Sequence, residues 1–322
     1  MTDLLRSPAR ESGSRTGPVG LRTAAVVVTY NRLEFLKRSL KSVSDQTLTP
    51  HSIVVVDNHS TDGTVEWLED FAKDRPDVKV ILLPENKGSS GGFSRGMRVA
   101  YEGGADWIWT MDDDTVADHD ALEQLVERIK FLSPTALKRV GYVCSKVVWQ
   151  DGTRHVHNVP LPNRFWWDGY DVMPGCIQLE AATFVSALFN RMAVRAVGFP
   201  VEEFFIWWDD VEYTQRMSGA RFWGYHVDQS RVMHLTPENK VAAYSYVNDA
   251  NLWKYRYGIR NEVAVSKARV RGRITALWRI VARVLEMREH GIAARLILPL
   301  VVWGLKGYFF DYRKFIPQAK TP

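Results

Sequence analysis

The chain has 322 residues, 46% apolar and 25% charged, which is the composition of a globular protein with one large domain and an appendage. Its two cysteines, Cys144 and Cys176, exclude a disulfide framework and a cysteine metal cluster, and they are typical of buried thiols in a reducing compartment. The net charge is +5, and the absence of an apolar run of about 18 residues excludes a spanning helix.

Four apolar, β-branched runs follow a Ser-, Arg- and Gly-rich stretch, residues 1–20, that predicts a disordered tail without a signal peptide. The runs are Thr23–Thr29, Ser52–Asp57, Val78–Leu83 and the stretch that ends at Met111. Each is followed by polar residues and then, in the first three units, by a helical pattern; the third helix is expected from Phe93. This alternation predicts an α/β protein with a parallel sheet and right-handed crossovers.

The polar residues that follow these strands are expected along one edge of the sheet, where open α/β folds bind ligands. They are Thr29, Asn31, Arg32, Asp57, Asn58, Asn86, Gly88 and the triplet Asp112–Asp114. Helix capping explains Asp57 alone, and a flexible turn explains Gly88–Gly92 alone, but four polar strand ends in register favour a nucleotide site. The glycine-rich run lacks the Walker and dinucleotide spacings, which disfavours a kinase or a dehydrogenase.

The acidic triplet predicts a metal site, because three adjacent carboxylates repel one another unless a cation lies among them. Hard divalent cations such as Mg²⁺ and Mn²⁺ prefer carboxylate oxygens and leave coordination positions for a diphosphate. The alternative is a solvated acidic loop before a helix that begins near Asp118. His234 follows an apolar strand; such a histidine is usually a core residue, but the triplet makes it a candidate ligand.

The order of elements changes between residues 140 and 240. Strands are predicted at Tyr142–Trp149 and Ile177–Phe189, on either side of a Pro- and Trp-rich loop. In this loop Trp166 and Trp167 are candidates for stacking on a sugar, with core packing as the alternative. This mixed half of the sheet is expected to cover the crevice and hold a second substrate.

A second acidic cluster precedes a helix that runs through Gly219. Its residues are Trp207, Trp208, Asp209, Asp210 and Glu212. A helix N-cap explains Asp210 without any catalytic function.

The C-terminal region is basic, with fifteen Lys and Arg against four Asp and Glu from Lys254 to the end. Apolar residues recur there with helical spacing, among several arginines. They are Ile274, Leu277, Trp278, Val281, Val284 and Leu285. The pattern leaves two interpretations open: a helix in an anionic membrane interface, or a helix packed on the catalytic domain. Nucleic acid is disfavoured because no binding motif accompanies the charge.

With these motifs in order over residues 23–240, the chain resembles the family 2 inverting glycosyltransferases of the GT-A fold. The segment from Gly88 to Met97, with Gly104–Trp109, resembles the shorter, initiating type of actinobacterial galactofuranosyltransferase. The resemblance implies transfer of galactofuranose from UDP-galactofuranose to a polyprenyl-diphosphate-linked glycan in cell-wall galactan synthesis. A peripheral location on the cytoplasmic face of the inner membrane is expected, and a homo-oligomer remains open.

The resemblance also implies roles for the site residues. Donor binding falls to Thr29, Arg32, Asp57, Asn86 and Asp113, and the Mn²⁺ or Mg²⁺ ligands are Asp112, Asp114 and His234. Asp210 matches the catalytic base, and the acceptor residues are Trp166, Trp167, Trp207, Trp208, Asp209 and Glu212.

The resemblance divides the chain into a tail, a GT-A catalytic domain at 21–245 and a basic helical region at 246–322. The catalytic domain comprises a nucleotide half at 21–115 and an acceptor half at 116–245. Two alternatives are a rhamnosyltransferase that uses a dTDP-sugar and a glycan- or nucleotide-sugar-binding module without turnover.

Overall fold

A computed structural model describes residues 21–165, 167, 170–268 and 272–318 of the chain. The expected disordered tail at 1–20 and Trp166 lie outside these residues. The strands are β1 Thr23–Thr29, β2 Ser52–Asp57, β3 Val78–Leu82, β4 Trp107–Asp112, β5 Thr115–Ala117, β6 Val140–Val148, β7 Leu161–Pro162, β8 Ile177–Ala181, β9 Ala187–Asn190 and β10 Trp223–His234. The α-helices are α1 Leu33–Ser44, α2 Thr64–Ala72, α3 Gly88–Glu102, α4 Ala121–Lys130, α5 Pro134–Leu137, α6 Arg191–Val197, α7 Asp209–Gly219, α8 Leu252–Lys267, α9 Gly272–Glu289 and α10 Ala294–Phe309.

All ten strands belong to one mixed sheet in the order β3-β2-β1-β4-β9-β6-β10-β8-β7, with β5 paired to β10. The first four strands in this order are parallel, as the strand–helix alternation predicts, while β9 runs antiparallel to both β4 and β6. Every residue of β1 is buried, because helices cover both faces of this part of the sheet. The fold is therefore the expected GT-A type with a mixed, mainly parallel sheet and C-terminal helices.

Helix α3 begins at Gly88, five residues before the predicted start at Phe93. The glycine-rich run is therefore helical, and close packing explains its composition. A Cβ atom on Gly92 would lie 2.4 Å from Cγ1 of Val28 in β1. A Cβ on Gly96 would lie 2.4 Å from Cγ1 of Val26. The glycines thus let α3 pack directly on the sheet beside the polar strand ends.

The region beyond residue 250 is a layer of three helices. Buried residues of α8, α9 and α10, such as Ile259, Ile280 and Leu300, form one apolar cluster. A second cluster joins Ala264 and Val265 of α8 to Phe204, next to the second acidic cluster. Helix α8 therefore packs on both the segment that precedes α7 and the other C-terminal helices.

Helix α9 does not bury the stripe that the sequence pattern selects. Its buried residues include Ala276, Ile280 and Met287. Most of the stripe faces outward instead, with Ile274 76% and Trp278 62% exposed. None of the described helices is both long and apolar enough to cross a membrane.

Candidate active site

A cavity of about 410 Å³ opens at the carboxyl ends of β1 and β4. The N-terminus of α3, the segment before α7 and the first turn of α8 complete its walls. Both acidic clusters reach it: Asp112, Asp113 and Asp114 line one side, and Asp209 and Asp210 also line it. The two sets of carboxylates that the sequence places almost 100 residues apart therefore share one cavity.

The acidic triplet divides into two functions according to its contacts. Oxygens of Asp112 and Asp114 and a ring nitrogen of His234 lie within 4.8 Å of one another, a spacing that one cation can bridge. Asp113 instead turns toward β1, where the Thr29 hydroxyl donates to its Oδ2 over 2.8 Å. Two carboxylates and one imidazole form a donor set that suits Mn²⁺ and Mg²⁺. The described residues thus fit the metal that the sequence predicts.

The pKa values of Asp112, Asp114 and His234 are shifted because these groups are buried close to one another. Burial, with the adjacent Asp114 charge, raises the pKa of Asp112 to about 7. Burial also acts to raise the pKa of Asp114, but the hydrogen bond and charge of His234, with Arg32, lower it to about 2. For His234, burial acts to lower the pKa, but its hydrogen bond to Asp114 and that residue's charge raise it above the usual value. Positive charge among these carboxylates is therefore favourable.

Arg32 lies on the triplet rather than at Asp57. Its Nη1 is 2.6 Å from Oδ2 of Asp114 and 3.4 Å from Oδ1 of Asp113. Asp57 is buried and is absent from the residues that line the cavity; its Oδ2 accepts from the backbone N–H of Ser60, 2.9 Å away. The other oxygen, Oδ1, has no hydrogen-bond partner among the described residues. In this structure the Arg32 guanidinium therefore contacts Asp113 and Asp114, whereas the Asp57 carboxylate contacts the backbone of Ser60.

A short hydrogen-bond chain orients His234. Its Nδ1 donates to Oδ1 of Asn158 over 2.8 Å, and its Nε2 is 3.0 Å from Oδ1 of Asp114. The amide of Asn158 in turn donates to Oγ1 of Thr183 over 3.1 Å. Because Asn158 accepts at Nδ1, it directs Nε2 toward the carboxylates, as second-layer partners of metal-binding histidines do.

Asp209 and Asp210 begin helix α7. Burial, followed by the charge of its neighbour Asp210, raises the pKa of Asp209 well above its ordinary value. Burial also raises the pKa of Asp210 to about 6, although a 2.7 Å hydrogen bond from the N–H of Val211 opposes this shift. A carboxylate with a raised pKa beside a cavity is suited to accept a proton.

The remaining predicted acceptor residues that the structure describes occupy three different environments. Trp207 lines the cavity with Asp209. Trp208 instead packs against the apolar cluster around Phe204. Glu212 is buried and ion-paired with Arg216 at 3.0 Å, so both side chains contact the protein interior rather than the cavity. Trp167 is 54% exposed and is not among the residues that line the cavity.

Two cavity residues on α8, Trp253 and Lys254, were not predicted. They lie beyond the expected domain boundary at residue 245. Burial lowers the pKa of Lys254, and the charge of Arg32 lowers it further, while Asp114 opposes the shift. Lys254 is the first of the fifteen basic residues counted in the C-terminal region, and no local sequence pattern distinguishes it from the other fourteen.

The family model described as Glycosyl transferase family 2 matches residues 24–198. Galactofuranosyltransferase GlfT1 of Mycolicibacterium smegmatis is 32% identical over 213 residues, which are 62% of this chain and 66% of the relative. An undecaprenyl-phosphate mannosyltransferase of Micrococcus luteus is 32% identical over 111 residues, or 34% of this chain and 45% of that protein. The aligned part thus spans just under two thirds of the GlfT1 relative.

Two solved structures share the fold at low sequence identity. GalNAc-T7 with UDP, GalNAc and Mn²⁺ superposes with a TM-score of 0.56 at 15% identity, over 76% of this chain and 47% of that one. TarS of S. aureus gives a TM-score of 0.51 at 15% identity, over 91% of this chain and 54% of that one. These likenesses support the fold alone.

Proposed function

The chain belongs to glycosyl transferase family 2, and from that premise we propose that it transfers galactofuranose from UDP-galactofuranose to a polyprenyl-diphosphate-linked glycan. The observation that carries the proposal is the shared cavity of the two acidic clusters. A donor bound at the triplet and an acceptor beside Asp210 would meet in that space. The sugar is proposed from the GlfT1 relatives, of which two further ones are 30% identical over 211 residues.

Donor binding falls to the polar ends of β1 to β4. Thr29, Asn86 and Asp113 line the cavity, and Asp57 offers an unsatisfied oxygen behind them. Arg32 is ion-paired with Asp114 in this structure. When this ion pair opens, the Arg32 guanidinium can contact the nucleobase or the diphosphate of the donor. Lys254 also lines the cavity, with a positive charge available to the leaving diphosphate.

Asp112, Asp114 and His234 would hold Mn²⁺ or Mg²⁺, which when bound stabilises the negative charge of the departing UDP. Asp210 would take the proton from the acceptor hydroxyl as that oxygen attacks the anomeric carbon, and the configuration there inverts. Trp207 and Asp209 would orient the acceptor. Burial keeps Asp210 basic enough for this step.

The exposed apolar faces of α9 and α10 support a peripheral location at an anionic membrane. Leu298 and Phe309 of α10 are 67% and 79% exposed, in addition to the stripe on α9. A groove of about 520 Å³ on α10 places Lys306 and Arg260 beside apolar side chains. Apolar residues with interspersed cations suit an interface between headgroups and acyl chains. A lipid-linked acceptor on the cytoplasmic face would then be within reach.

The experiment that tests the sugar and the acceptor is a donor panel with lipid-linked acceptors. Purified protein is incubated with UDP-galactofuranose, UDP-galactopyranose and dTDP-rhamnose, and the products are identified by mass spectrometry and linkage analysis. We expect transfer from UDP-galactofuranose only. Transfer from dTDP-rhamnose instead would make the protein a rhamnosyltransferase and would leave the proposed glycosyl transfer intact. Donor binding without any product would contradict the proposal that the protein is an enzyme.

A further inference from the structure

The backbone before helix α7 is held in an unfavourable conformation. In the segment of residues 204–208, here called the bent loop, Phe205, Trp207 and Trp208 have φ angles of 65°, 63° and 70°. Side chains with a Cβ rarely adopt this left-handed region, and aromatic residues have no local hydrogen bond that compensates. Such a loop persists only where its surroundings determine it. Since Trp208 directly precedes Asp209 and Asp210, the bent loop sets where helix α7 begins.

Helix α8 holds the bent loop in this conformation through the side chain of Asn261. The amide nitrogen of Asn261 donates to the carbonyl oxygens of Phe204 at 2.9 Å, Ile206 at 3.1 Å and Trp207 at 2.9 Å. Asn261 is 0% exposed, and Nε of Arg260 donates to its Oδ1 over 2.9 Å, which orients the amide. The two N–H groups of this single amide therefore serve three carbonyls of the loop. The carbonyl of Phe204 also accepts from the N–H of Ile206 and from Arg260, whereas Asn261 is the donor that the described residues offer to those of Ile206 and Trp207.

The same helix makes room for the loop. A Cβ atom on Gly258 would lie 2.6 Å from Cε3 of Trp207, so the indole lies directly on the α8 backbone. On the other side, the carbonyl of Phe205 accepts from the N–H of Ser90 over 3.2 Å. Gly88 approaches this carbonyl so closely that a Cβ there would lie 2.0 Å from the oxygen. The bent loop is thus clamped between α8 and the N-terminus of α3.

We propose that Asn261 is a positioning residue for the transfer reaction: through the bent loop it fixes Trp207 and the start of α7, and hence Asp209 and Asp210, against the donor. This inference rests on the proposed role of Asp210. It assigns to α8 a second part in the active site, in addition to the cavity residues Trp253 and Lys254.

The test compares Asn261→Ala and the isosteric Asn261→Asp with a matched control, Asn190→Ala. Asn190 is also buried, and its amide donates to the carbonyls of Leu137 at 3.0 Å and Val140 at 2.8 Å, away from the cavity. Each protein is assayed for thermal stability, for affinity toward UDP with Mn²⁺, and for kcat and KM with the acceptor. Hydrogen–deuterium exchange of residues 204–212 reports the loop directly.

We expect both Asn261 variants to lose about 10²-fold in kcat, the scale of a misplaced catalytic group, while UDP affinity changes by less than about twofold. Exchange at residues 204–212 should quicken in these variants and not in Asn190→Ala, whose kcat should stay near that of the wild type. Wild-type kcat and exchange in Asn261→Asp would overturn the inference, as would an equal loss of kcat in the control. Absence of transfer by the wild-type protein would count against the proposed function; unchanged exchange in the variants would then still overturn the inference.

Discussion

Nε2 of His234 lies 3.0 Å from Oδ1 of Asp114, although 120 residues separate them in sequence. The strand β10 ends at this histidine beside β5, which follows the triplet, so the sheet itself brings them together. Arg32 approaches the other oxygen of Asp114. Protonated His234 and the Arg32 guanidinium thus supply the positive charge that these carboxylates require.

Replacing His234 or Asp114 should weaken metal binding. For His234→Ala and Asp114→Asn we expect the Mn²⁺ dissociation constant to rise about 10²-fold or more, because the loss of even an outer partner costs 10- to 100-fold. Titration calorimetry with Mn²⁺ and UDP measures this change. Asp45→Asn, at an exposed carboxylate paired with Lys41, is the control. Unchanged Mn²⁺ affinity in both site variants would contradict the metal assignment.

The rate of transfer should depend on the protonation of Asp210. Only its ionised form accepts a proton, and burial raises its pKa to about 6. At saturating metal, kcat should therefore be level above this pH and fall about tenfold per pH unit below it. The metal must be saturating because protons compete with it at Asp112. Burial raises the pKa of Asp112 to about 7 in the metal-free protein. A profile that stays flat down to pH 4 would exclude Asp210 as the base.

Gly96→Ala should destabilise the protein despite the higher helix propensity of alanine. The new methyl would lie 2.4 Å from Cγ1 of Val26, so α3 must shift from the sheet at a cost of about 1–3 kcal/mol. Gly219→Ala is the control, since no atom lies within 4 Å of the Cβ position and propensity alone can add about 1 kcal/mol. Denaturant unfolding measures both. Equal stability of the two variants would show that α3 tolerates displacement.

Membrane binding should depend on the exposed stripe of α9. Substitutions suit this test better than truncation, because α10 packs on α8 and its removal would expose their shared core. Ile274→Glu and Trp278→Glu should each weaken binding to anionic vesicles about tenfold, the value of one lost apolar side chain. Binding should also weaken with salt.

The control for the membrane experiment is Phe131→Glu, since Phe131 is 84% exposed but follows α4, outside the C-terminal helices. A vesicle-sedimentation assay compares the three variants with the wild type. If the two α9 variants sediment as the wild-type protein does, the stripe has no membrane role.

The limits of the first two strands were predictable from sequence. Thr23–Thr29 and Ser52–Asp57 agree with the structure residue for residue, since apolar β-branched runs between polar residues have few alternatives. The start of α3 was not predictable, because glycine is a poor helix former and the reason for Gly92 is a contact with Val28. Which face of α9 packs on the protein was not predictable for a similar reason: small buried residues such as Ala276 carry a weak periodic signal.

The site was predictable where chemistry concentrates acidic residues, at the triplet and at Asp209 and Asp210. Lys254 and Asn261 could not be found in this way. Their importance arises from the packing of α8 against the cavity and the bent loop, and a lone lysine or asparagine within a helix has no distinguishing local pattern. The resemblance assigns Glu212 and Trp208 to the acceptor, whereas Glu212 is ion-paired with Arg216 and Trp208 packs against the apolar cluster around Phe204.

In the proposed reaction, one cavity joins a donor site at the triplet to a proton acceptor at Asp210. This arrangement is tested with Asp210→Asn, assayed for UDP binding in the presence of Mn²⁺ and for transfer from UDP-galactofuranose to a lipid-linked acceptor. We expect unchanged UDP affinity with a fall in kcat of about 10²- to 10⁴-fold, the usual contribution of a general base. Transfer by the variant at the wild-type rate would contradict the proposed role of Asp210.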